Sequence, residues 1–96
     1  ILRFLKRVLD AARAAEVPVR ICGEMAGRPL EAMALIGIGA ENFSITPAGV
    51  GPVKAMVRSL DAGAAHKRLD KLLAIPPRDM RKALTDWARR HSVTIG

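Results

Sequence analysis

The sequence predicts an α/β fold that becomes all-helical toward its C-terminus. Residues 2–15 repeat apolar side chains at helical spacing. Two short runs rich in β-branched or aromatic residues, 17–22 and 42–45, flank a second helical stretch. Beyond Leu60 only helical patterns remain.

Taken in order, Leu2, Leu5, Val8, Leu9 and Ala12 fall on one side of the first predicted helix. Arg3, Lys6, Arg7, Asp10 and Arg13 occupy the other. Val17-Pro18-Val19-Arg20-Ile21-Cys22 reads as a strand, with Pro18 tolerated near its start and Gly23 ending it. Gly27-Arg28-Pro29 opens a second helix, because proline suits the first turn. Leu30, Met33, Ala34 and Leu35 or Ile36 supply its buried side, and Gly37 and Gly39 stop it. A second strand spans Asn42 to Ile45 and ends at Thr46-Pro47. The segment from Ala48 to Pro52 reads as a turn, and a third helix runs from about Pro52 to Leu60. A fourth covers Ala62 to Ile75, broken by Pro76-Pro77. The last runs from about Pro77 to Arg90, with Met80, Leu84, Trp87 and Ala88 on one side; Ser92 to Gly96 is expected to fray.

Strands separated by helices pair in parallel through crossovers. Two strands do not make a stable parallel sheet, since such sheets need covered faces and neighbours. The segment therefore calls for more strands than it contains. It also opens directly on an amphipathic pattern without Met, which reads as a cut from a longer polypeptide.

Composition excludes several classes. The single cysteine, Cys22, forbids an internal disulfide and any two-cysteine metal site, and a free thiol suits a reducing cytoplasm. No apolar run approaches the ~18–20 residues needed to span a bilayer, so no membrane role is expected. The net charge of +7 is uneven: residues 1–53 hold six basic and five acidic side chains, residues 54–96 ten and four. That imbalance raises an alternative function, a basic helical interaction module over 54–96 that binds nucleic acid or an acidic protein. With only Phe4, Phe43 and Trp87 as aromatics, no base-stacking platform is available, and a solvated helical face is the preferred reading.

The chemistry-bearing stretch is Ile21-Cys22-Gly23-Glu24-Met25-Ala26-Gly27. A cysteine at the C-terminal end of a parallel strand occupies the position where α/β folds place reactive groups. Gly23 allows a sharp turn and close ligand approach. Position alone leaves two readings open, a reactive thiol and a small buried hydrophobe.

Val19 to Gly27, followed by Pro29, resembles a signature near the end of the phosphoenolpyruvate (PEP)-utilising enzymes, commonly Cys-Gly-Glu-Met/Leu-Ala-Gly-Asp-Pro. Gly37-Ile38-Gly39-Ala40-Glu41-Asn42-Phe43-Ser44-Ile45-Thr46-Pro47 resembles a second block, Gly-x-Gly-x-x-x-x-Ser-x-Ser-Pro. Gly51 to Leu60 is similar to the helix that follows. Met25-Ala26 is similar to the Enzyme I phosphotransferases. Arg28 in place of the usual Asp, with Gly51-Pro52, is similar to their nitrogen-related branch. Thr46 and Gly49-Val50 also depart from common family choices.

The resemblance implies the C-terminal fragment of a (β/α)8 TIM barrel: residues 1–96 as the end of the PEP-binding domain, with 1–60 the last strand–helix units and 61–96 C-terminal helices. It implies phosphoryl transfer from PEP to a histidine on a separate domain, for relay to a phosphocarrier protein. Cys22 is then the acid that protonates enolpyruvate to pyruvate, as a thiol of ordinary pKa, about 8.5, is mostly protonated at neutral pH. Gly23 and Glu24 are implied as substrate neighbours, though Glu24 reads equally as a loop carboxylate facing water. Ser44 is open between an active-site neighbour and a hydroxyl bonded to turn backbone. Arg28 is open between a phosphate contact and a flank of the following helix. His66 and His91 read as surface residues. Mg2+ is implied for the full enzyme with ligands outside this segment, as is a homodimer formed through the barrel.

Overall fold

The computed structural model describes all 96 residues, Ile1 to Gly96. Five α-helices and two strands alternate and then give way to helices: α1 (Leu2–Ala14), β1 (Arg20–Cys22), α2 (Pro29–Gly37), β2 (Asn42–Ser44), α3 (Pro47–Ser59), α4 (Ala62–Ala74) and α5 (Met80–Arg90). The strands pair in parallel, with Arg20 opposite Asn42, Ile21 opposite Phe43 and Cys22 opposite Ser44. A two-stranded parallel sheet joined through α2, with helices making up most of the rest, is the architecture of part of a (β/α) barrel. No helix is long and apolar enough to cross a membrane.

The core is organised around α2. Leu30, Ala32, Met33, Ala34, Leu35 and Gly37 are all buried, so this helix is covered nearly all round. Four elements cover it: α3, α4, α5 and the turn before it. The closest approach is at Gly37, where a Cβ would lie 2.6 Å from Leu69 Cδ2 and 3.2 Å from the Ala65 carbonyl oxygen. Any larger residue there would push α4 away from α2. From α4, Ala65, Leu69, Leu72 and Leu73 complete the contact; from α5, Leu84, Trp87 and Ala88 do. Both C-terminal helices are capped by aspartate. Asp61 accepts from the Ala64 N–H and Asp79 from the Lys82 N–H, each at 3.0 Å.

Several boundaries differ from the sequence expectation. Both strands are only three residues long, so Val17 to Val19 and Ile45 lie outside the ladder. Between Gly23 and Arg28 the chain forms a 3-10 turn, Glu24–Gly27, where no regular element was expected. The larger correction concerns α3. The stretch from Ala48 to Pro52 is helix, begun by Pro47 in its first turn, with Pro52 inside. Pro52 cannot donate to the Ala48 carbonyl, but Ala48 is exposed and water can bond that oxygen. Packing outweighs the local proline signal: Gly49, Val53 and Met56, spaced at four and three, are all buried on one side. Gly49 fits only because it lacks a side chain. A Cβ there would come within 2.9 Å of the Gly27 backbone.

The α5 helix begins at Met80 rather than Pro77, because Asp79 is its cap. The tail does not fray. Val93 is buried, its N–H bonds to the Ala88 carbonyl at 2.8 Å, and the Thr94 N–H bonds to the Ser59 hydroxyl at 2.8 Å. On α1 only Leu9 is buried, while Val8 and Phe4 face solvent. That helix is held to the rest by polar ties as well: Arg3 donates to the Leu73 carbonyl at 2.6 Å, and Arg13 to the Gly39 carbonyl at 3.3 Å.

Candidate functional site

The sheet has two unlike faces. Ile21 and Phe43 are half-buried and pack on the core. Period-two alternation sends Arg20, Cys22, Asn42 and Ser44 to the other face, where all four are exposed. A face meant only for burial in a parallel sheet would be aliphatic on both sides. Here one side carries a guanidinium, a thiol, an amide and a hydroxyl within two paired registers. Cys22 and Ser44 are direct neighbours at the C-terminal ends of their strands, about 4.8 Å apart across the ladder.

Cys22 is a free, exposed thiol. Within this chain the thiol is open to solvent and takes no part in the hydrophobic core. Gly23, next in the chain, has φ 103° and ψ −178°. This region is open to glycine alone. A Cβ at Gly23 would meet nothing within 4 Å, so the requirement is conformational and not steric crowding. The turn it makes ends β1 abruptly after the thiol and swings the chain into Glu24–Gly27.

The other candidates sort differently. Glu24 is 87% exposed and accepts from Arg28 at 3.1 Å. Arg28 also reaches Glu31, at 4.0 Å, and so flanks the start of α2 in an ion-pair cluster. Ser44 is not tied to turn backbone; the hydroxyls that bond backbone carbonyls are those of Ser59 and Thr85, each within its own helix. His66 does more than occupy the surface. Its Nδ1 lies 3.0 Å from the Gly37 carbonyl, and its Nε2 lies 3.6 Å from Asp70. A carbonyl only accepts, so Nδ1 carries the proton and joins α4 to the end of α2. His91 stacks on Trp87 at 4.3 Å between centroids, and its Nδ1 bonds the Trp87 carbonyl at 2.9 Å.

Arg20 and Asn42 were missed as site residues from sequence. The signal was present, since Arg20 stands two positions before Cys22 and shares its face in any strand. Asn42 needed the register. No group of three or more His, Cys, Asp or Glu side chains that could hold a metal ion occurs in this chain.

The family described as PEP-utilising enzyme, PEP-binding domain, matches residues 1–62. The chain is 34% identical over 90 residues, 93% of its length, to a phosphoenolpyruvate-protein phosphotransferase of Cupriavidus necator. It is 31% identical over 84 residues to a multiphosphoryl transfer protein of Xanthomonas campestris. It is 31% identical over 75 residues to a phosphoenolpyruvate-protein phosphotransferase of Bacillus subtilis. It spans 15%, 10% and 13% of those relatives, respectively. With these matches and a strand–helix architecture of the barrel type, the chain belongs to the PEP-utilising enzymes, among the phosphoenolpyruvate-protein phosphotransferase-like proteins.

Proposed function

We propose that this chain forms the C-terminal part of the PEP-binding barrel of a phosphoenolpyruvate-protein phosphotransferase, residues 1–60 as its last strand–helix units and 61–96 as its closing helices. Within it, Cys22 is the acid that turns enolpyruvate into pyruvate. The observation that carries this reading is an exposed thiol at a parallel strand end, on a polar sheet face, before a glycine in a conformation no other residue adopts readily.

The reaction divides in two. The phosphorus–oxygen bond of PEP breaks, and the phosphoryl group passes to a histidine on another part of the enzyme, then to a phosphocarrier protein. The electron pair left on the enolate oxygen delocalises to the methylene carbon. The sulfur–hydrogen bond of Cys22 breaks and a carbon–hydrogen bond forms there, giving pyruvate and a thiolate. Solvent reprotonates the thiolate, and the reverse path lets it take a methyl proton from pyruvate. A strand end fixes the donor more rigidly than a loop would, as proton transfer to carbon requires. On the same face, Gly23 gives the substrate room to approach the backbone, and Ser44, Arg20 and Asn42 offer donors toward its carboxylate. Glu24 acts through its pair with Arg28, holding the turn behind Gly23.

The complete enzyme is read as a cytoplasmic homodimer joined through its barrel domain, with magnesium ligands outside this segment. The test uses Cys22→Ala in the complete phosphotransferase. Phosphoryl transfer from PEP should persist in part, while exchange of pyruvate methyl protons with deuterated solvent collapses. Methyl exchange at the unsubstituted rate would remove Cys22 from the role.

A further inference from the structure

The charge excess of residues 54–96 is concentrated at one place. Of the four carboxylates in this region, Asp61 and Asp79 are spent as helix caps. Asp86 is paired with Lys82 at 3.0 Å. Asp70 lies 3.6 Å from His66, and together with Asp10 it raises the Lys6 ammonium of α1 above its ordinary value, the Asp10 hydrogen bond being the larger cause. That puts Asp70 on the α1 side of α4. None of Lys67, Arg68, Lys71 and Arg90 forms an ion pair, although Asp79 and Asp86 line a neighbouring groove with Arg68 and Arg90.

Those four cations, with Trp87 and His91, line a groove of about 290 Å³ between α4 and α5. No acidic side chain lines it. The Nε–H of Arg68 is buried and bonds to no acceptor, a cost that an anion seated beside it would offset. Lys71 and Arg90 each stand in the last turn of a helix, where the helix dipole favours a cation. The dipole accounts for neither Lys67 nor the buried donor of Arg68. Every residue of this groove lies beyond residues 1–62, the stretch that matches the PEP-binding domain model.

We propose that this groove binds a small phosphate-type polyanion of the diphosphate class. From Lys67 to Lys71 is about 6 Å along the helix axis, little more than one turn. Charge this compact suits one multiply charged group. A nucleic-acid strand would need cations spread along several phosphates. Two guanidinium groups supply forked donors for phosphate oxygens, and two ammonium groups add charge. His91 Nδ1 is engaged by the Trp87 carbonyl, which leaves Nε2 free for the ligand.

Trp87 is the chain's only tryptophan, so its fluorescence reports on the groove directly. The full chain is titrated with inorganic pyrophosphate at constant ionic strength. A saturable change is expected, together with a rise in Tm. In Lys71→Gln/Arg90→Gln the midpoint should weaken about tenfold or more, as expected for losing charge-assisted hydrogen bonds. Both side chains are exposed, so folding survives; unchanged far-UV circular dichroism checks it. Lys71→Arg, which keeps the charge, and Lys54→Gln, outside the groove, should both respond like the parent chain. A change reproduced by sodium chloride alone, or one of equal midpoint in the double variant, would overturn the proposal. So would a DNA duplex that binds more tightly than pyrophosphate with a steep salt dependence, which would assign the groove to nucleic acid.

Discussion

At Cys22 and Gly23 the proposed chemistry and the stability of the fold can be tested apart. Cys22 is exposed and packs nothing into the core, so Cys22→Ala should shift unfolding free energy by no more than about 0.5 kcal/mol. Methyl-proton exchange collapsing in a variant of unchanged Tm is a pattern that a structural cysteine would not give. Gly23→Ala should behave in the opposite way. Its φ of 103° forces an alanine into a region costing about 1–3 kcal/mol, although there is open space for the methyl group. Denaturant unfolding should show that loss, and turnover of the complete enzyme should fall with it as the turn relaxes and the thiol moves. A Gly23→Ala variant with full stability would mean that the backbone adopts another path here. Arg20 and Ser44 belong to the same face; Arg20 follows from alternation along the strand that carries Cys22, whereas Ser44 joins it only through the register.

Elements differ in what holds them. The α2 helix is fixed by burial, α4 and α5 by burial plus caps, and α1 by a single buried leucine and polar ties. Replacing Asp61 or Asp79 with Ala should therefore cost about 1 kcal/mol each. For a chain of this size that corresponds to a fall in Tm of about 4–8 °C, readable by circular dichroism. The caps lie on different helices, so their losses should add. The α3 helix shows the limit of local signals. Its five residues before Val53 carry two glycines and end in proline, a turn-like composition, yet they are helical because Gly49 meets the Gly27 backbone and Val53 and Met56 reach the core. Loss of the Ala48 hydrogen bond is tolerable at an exposed carbonyl; contact between two glycines is visible only once the chain is folded.

Across the whole molecule, two parallel strands leave an outer edge on each side and an open polar face. Such a sheet is completed in a barrel by neighbouring strands, and the PEP site we propose needs residues from them. The 96-residue chain alone should accordingly release no pyruvate from PEP, with or without magnesium and a phosphocarrier protein, in a coupled lactate dehydrogenase assay. Measurable turnover by the isolated chain would show that its own residues suffice.

The amino-acid sequence by itself determined the order of helices and strands, the parallel α/β character and the position of Cys22 at a strand end before Gly23. Periodicity, proline, glycine and β-branching act within a few residues, so these features are written locally. Only the tertiary structure decided that Arg20, Cys22, Asn42 and Ser44 share one open face, that α3 runs through Pro52, that Val93 docks the tail, and that four unpaired cations gather around Trp87. Each of those depends on register or on contacts between residues distant in sequence, and packing sets them by weighing burial against local preference across the whole chain.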